Sequence, residues 1–68
     1  MDWQQIEDSW RKYTVAAKER WGKLSEQQLL ATRGRFPVLS ARVQEAYGLT
    51  RPQSDFQLSE WASRQQSR

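Results

Sequence analysis

The chain contains no cysteine and no histidine. Without cysteine, no disulfide staples so small a molecule and no thiolate binds a metal. Without histidine, the usual general base and the commonest nitrogen ligand are both missing. The three glycines are isolated, so no glycine-rich loop cradles a phosphate. No segment stays apolar for 18 residues, which leaves nothing long enough to span a bilayer. The opening MDWQQIEDSW is acidic and amphipathic, unlike the basic, apolar start of a signal peptide. A soluble, cytoplasmic protein with no membrane partner is expected.

What remains is 68 residues read as one domain over 1–68. Four Trp, two Tyr and two Phe are available for packing. Net charge is +3, and it is concentrated. Residues 1–10 carry three acids and no base; residues 11–42 carry eight bases and two acids; residues 43–68 balance at three each.

Apolar residues fall at Trp3, Ile6, Trp10, Tyr13, Ala17, Trp21 and Leu24, in steps of three and four. That is one face of an α-helix, predicted over about 3–21. Asp2 is its expected cap, with Gln5 as partner. Glu7 with Arg11, and Asp8 with Lys12, are spaced as i,i+4 ion pairs. Gly22 is placed to end the helix in the left-handed conformation. Leu24-Ser25-Glu26-Gln27-Gln28-Leu29 then reads as a complete helix start: Ser25 caps, Gln28 closes the box, and Leu24 staples onto Leu29. The second helix runs over about 26–33 and ends at Gly34. Phe36-Pro37 breaks the chain before a third helix, about 37–47, whose inward face is Leu39, Val43, Ala46 and Tyr47. Gly48 ends it. Thr50 and Gln53 form another capping box, opening a fourth helix over about 51–63 with Phe56, Leu58, Trp61 and Ala62 as apolar contacts. The tail, about 64–68, is expected to fray. RWGKLSEQQL and AYGLTRPQSDF share a weak echo of this junction pattern, too little to make a repeat protein. The fold class is all-α: a small, partly open four-helix bundle.

Two signatures resemble the CsbD-like family of small bacterial general stress-response proteins. The first is Trp10-x-x-Tyr13, then Lys18-Glu19-x-Trp21-Gly22-Lys23-Leu24-Ser25-Glu26. The second is Gly34-Arg35, then Leu39, Arg42-Val43-Gln44-Glu45 and Tyr47-Gly48, closing with Glu60-Trp61. Together they cover residues 10–61. The resemblance implies a small helical bundle and a role in stress adaptation, without implying a catalytic activity. The chain departs from the pattern at Phe36-Pro37, where charged residues are usual, and at Ala41, where the family has glycine. Ser25-Glu26-Gln27-Gln28 is also less acidic than expected, which thins any acidic patch that a partner reads.

Catalysis finds little material. Serines are present, but no histidine, cysteine or Ser-x-x-Lys arrangement activates them. The acids Glu7 and Asp8 read as outward-facing and salt-bridged. The expectation is a non-enzyme with no cofactor, no metal and no small-molecule substrate. Two readings stay open for the aromatics: Trp10, Tyr13 and Trp21 form core, or they present a stacking surface for a partner or for bases. Lys18, Lys23, Arg33, Arg35 and Arg42 are candidate anion or nucleic-acid contacts, against the alternative of a solvated surface. Arg42 and Gln44 are too sparse for sequence-specific readout. In this reading Arg20 and Lys23 have no structural role. A protein partner or self-association through an apolar stripe is the third class.

Overall fold

A computed structural model of the chain describes residues 3–66. Every element among them is helical: α1 (Trp3–Asp8), α2 (Trp10–Arg20), α3 (Glu26–Thr32), α4 (Phe36–Tyr47) and α5 (Arg51–Gln66). Helix α2 packs along α3, and α4 along α5; α1 leans on α2, and α3 joins the two pairs through α4.

The first predicted helix is not continuous. Ser9 leaves helical geometry with φ −114° and ψ 34°, and its N–H is shared between the carbonyls of Gln5 and Ile6 at 3.3 and 3.2 Å. The described residues therefore hold five helices where four were expected. The Ser9 side chain makes no capping bond, so the kink arises from packing. The Trp3 indole donates to the Gly34 carbonyl at 2.6 Å, and the Trp10 indole donates to the Leu29 carbonyl at 2.7 Å. Each segment is thus anchored separately, and the backbone between them bends. The expected Glu7–Arg11 and Asp8–Lys12 pairs span this kink, and among the described residues neither forms; Asp8 accepts from Gln4 instead. Asp2, the expected cap, lies outside the described residues.

The junctions follow the sequence closely. Ser25 accepts from the Gln28 N–H at 3.1 Å while the Gln28 side chain accepts from the Ser25 N–H at 2.9 Å. Thr50 and Gln53 repeat this geometry at 3.3 and 3.0 Å. Leu24 and Leu29 are both buried. Gly48 ends α4 at φ 65°. Gly22, however, does not take the left-handed conformation; α2 ends on Trp21 at φ −120°, whose N–H still reaches the Ala17 carbonyl. At the end of α3 the left-handed role begins one residue early: Arg33 has φ 57° and Gly34 φ 75°. Helix α4 starts at Phe36, one residue before Pro37, because the extended residue is Arg35.

The core comprises Ile6, Trp10, Ala17, Trp21, Leu24, Leu29, Leu39, Val43, Leu58, Trp61 and Ala62. Phe56, expected to pack, is 66 % exposed. The inward face of α5 instead holds Ser54, Leu58, Trp61 and Ala62, spaced four, three and one apart, which turns Phe56 outward. Helix α5 also continues through 64–66, a stretch expected to fray; an Arg64–Glu60 pair lies in its last turns. No helix among the described residues is long and apolar enough to cross a membrane.

Candidate functional site

The aromatic residues converge on Trp61 of α5. Its ring lies 5.4 Å from that of Trp21, 5.9 Å from Trp3, and 6.3 Å from both Trp10 and Tyr13. Trp3 meets Phe36 edge-on at 5.0 Å. Trp10, Trp21 and Trp61 are at most 5 % exposed, so their faces are spent on one another and not offered to bases. Three indole N–H groups are satisfied inside, since Trp21 reaches Gln57 at 3.2 Å in addition to the two bonds above. No buried side-chain polar atom among the described residues lacks a hydrogen-bond partner.

The five cations singled out in the sequence are all exposed but do not share one place. Lys18 and Lys23 flank the turn from α2 to α3. Lys18 donates to the Gly22 carbonyl at 3.0 Å. The Lys23 ammonium sits 5.1 Å over the Tyr47 ring, while its backbone N–H donates to the Tyr47 hydroxyl. Arg33 and Arg35 lie at the other end of α3, on either side of Gly34. Trp10 touches Gly34, and Lys18 is eight residues further along α2, about 12 Å at 1.5 Å per residue. Arg42 is on α4 and pairs with Glu45 at 3.1 Å. Arg20, which had no assigned role, lies 5.5 Å over the Trp21 ring. Contacts of this kind contribute about 0.5–1 kcal/mol at an exposed site.

The structure adds a residue that the sequence pattern concealed. Arg11 of α2 and Arg33 at the end of α3 border the same groove, of about 600 Å³, with Trp10 and Leu30 also lining it. Glu7 and Asp8 lie on its α1 side. Helical spacing assigned Arg11 to Glu7, and nothing in the sequence marks the kink that separates them.

One hydroxyl stands beside a carboxylate. Ser40 of α4 donates to Asp55 Oδ1 of α5 at 2.6 Å, and Ser54 donates to the Ser40 carbonyl at 2.9 Å. The other Asp55 oxygen is 3.5 Å from Arg51 Nε. Ser40 is 2 % exposed, so its proton is committed to a helix-to-helix strap and the oxygen is shielded from a substrate. The 15-residue separation of Ser40 and Asp55 left no signal in the sequence. Among the described residues, no three carboxylate, histidine or cysteine side chains are grouped so as to hold a metal ion.

No family model and no solved structure matches the chain. Curated relatives do. A UPF0337 protein of Rhodopseudomonas palustris is 34 % identical over 61 residues, covering 90 % of this chain and 92 % of the relative. A UPF0337 protein of Pectobacterium atrosepticum is 31 % identical over 61 residues, covering 90 % and 88 %. The UPF0337 protein YjbJ of Escherichia coli K12 is 28 % identical over 60 residues, covering 88 % and 87 %. With the likeness covering nine-tenths of this chain and nearly the full length of these relatives, the chain belongs to the UPF0337 family of small bacterial proteins.

Proposed function

We propose that this chain is a non-catalytic general stress-response protein of the CsbD-like type, acting in the cytoplasm by interaction and not by chemistry. The observation that carries the reading is the likeness to UPF0337 proteins over nine-tenths of the chain, and the resemblance at Trp21-Gly22-Lys23-Leu24-Ser25 and Tyr47-Gly48 supports the CsbD-like type. Two structural features support it. The hydroxyl closest to a carboxylate, Ser40, is buried between helices and held by Asp55. Val15 of α2 and Phe56 of α5 are 65 % and 66 % exposed, which leaves two large apolar side chains open to a partner.

Two measurements test this in the source bacterium. Immunoblotting across exponential growth, stationary phase, osmotic shock and heat should show a rise of several-fold under stress; a constant level in all four would sink the stress assignment. Affinity capture from stressed cells, with and without nuclease, addresses the mode of action. Partners that survive nuclease support protein interaction. Loss of every partner favours the second reading, weak nucleic-acid binding through basic residues, for which Arg33 and Arg35 beside Gly34 are the supporting observation.

A further inference from the structure

Of the 11 lysines and arginines, all but Arg68 lie among the described residues. Most have an intramolecular duty. Arg42, Arg51 and Arg64 face carboxylates. Lys12, Arg20 and Lys23 lie over aromatic rings, and Lys18 holds a backbone carbonyl. Among the described residues, Arg11, Arg33 and Arg35 are left without such a contact, and two of these three, Arg11 and Arg33, border the same groove, which Lys12 also lines.

A second observation falls on the same residue. Arg33 holds φ 57°, the only non-glycine residue at positive φ among those described. Glycine or asparagine occupies that conformation at less cost. Arginine there is unfavourable locally, and its guanidinium makes no internal bond that compensates. At this position the arginine adds a cation to the lining of the groove that Arg11 also borders.

We propose that Arg11 and Arg33 form a binding site for a phosphoryl oxyanion. Two arginines lining one groove suit phosphate oxygens, each guanidinium fork being able to give two parallel N–H donors. The apolar surface of Leu30, 41 % exposed, supplies a wall for a non-polar part of the ligand. Glu7 and Asp8 line the same groove, oppose an anion and hold the affinity down. This goes beyond the stress-protein reading and does not depend on it. The same chemistry is carried by free phosphate and by the phosphodiesters of a nucleic acid.

The test uses the full chain labelled with nitrogen-15, titrated at low salt with inorganic phosphate and, separately, with a twelve-nucleotide thymidine strand. Binding at this site moves the Arg11, Arg33 and Gly34 amides and the Trp10 indole signal. Response to phosphate alone identifies the small anion as the source; a tighter response to the oligonucleotide identifies the phosphodiester. Arg11→Gln and Arg33→Asn are each expected to weaken binding about tenfold, the size of one charge-assisted contact. Asparagine keeps the left-handed backbone accessible, and far-UV circular dichroism verifies the fold of each variant. Arg51→Gln removes the same charge from a paired residue and is expected to change affinity less than about twofold, while Asp8→Asn is expected to strengthen it. No shift with either probe, shifts spread evenly over the basic residues, or equal losses in Arg51→Gln and Arg11→Gln would overturn the site.

Discussion

Gly34 lies against the face of Trp10 so closely that an added Cβ would come within 2.9 Å of the ring carbons. The ring has little freedom to yield, because its indole N–H is bonded to the Leu29 carbonyl at 2.7 Å. Gly34 also has φ 75°, so Gly34→Ala meets both steric and conformational costs. Gly48 has φ 65° but no atom within 4 Å of an added Cβ, so Gly48→Ala meets only the conformational cost, about 1 kcal/mol. Gly34→Ala is therefore expected to lower stability by about 2–4 kcal/mol, clearly more than Gly48→Ala. Thermal melts followed by circular dichroism check the order; equal losses would show that the Trp10 contact carries no energy. Both glycines were legible in the sequence as helix stops. That one also packs on a tryptophan 24 positions earlier was not, because sequence order records local conformation and not what approaches from elsewhere.

At the level of the helices, the caps were the most legible feature. Ser25 with Gln28 and Thr50 with Gln53 act within four consecutive residues, so their geometry follows from spacing alone. Ser25→Ala should cost about 1 kcal/mol by urea titration, with an unchanged denaturant slope. The kink at Ser9 behaves differently. Since its side chain makes no capping bond and is exposed, Ser9→Ala should change stability by less than about 0.5 kcal/mol and leave the backbone nitrogen and carbon shifts around residues 8–10 non-helical. Helical shifts in that variant would show that serine, and not the docking of Trp3 and Trp10, makes the bend. Phe56 was misassigned for a related reason: the α5 sequence offers several apolar residues, and only contact with α4 through Ser40 and Ser54 selects which face turns inward.

Across the whole molecule, Trp61 joins α5 to the rings of α1 and α2. Its truncation removes one central ring from four aromatic contacts, and Trp61→Ala should cost about 3–5 kcal/mol. That rivals the total stability expected of 68 residues, about 3–10 kcal/mol, so the variant should be largely unfolded at 37 °C and show tryptophan emission shifted to the red. A native-like emission maximum would show that the ring cluster is not the centre of the core. Hydrogen exchange offers a complementary check. The paired helices α2 with α3 and α4 with α5 should be protected most, and α1, held by Trp3 and Ile6 beyond the Ser9 kink, should open first.

The sequence by itself determined the all-helical class, the capped helix starts at Ser25 and Thr50, the helix stop at Gly48, and most of the inward-facing residues, because each depends on periods of three or four residues and on local hydrogen bonds. It also carried a likeness to bacterial relatives over nine-tenths of its length. Only the tertiary structure decided where the first helix bends, that Gly22 is not left-handed, that Lys18 and Lys23 stand apart from Arg33 and Arg35, and that Arg11 and Arg33 line one groove. The bend and the groove depend on contacts between residues about 20 or more positions apart. Such contacts are fixed by how the tryptophans fill a shared core, a three-dimensional packing constraint that no local spacing encodes.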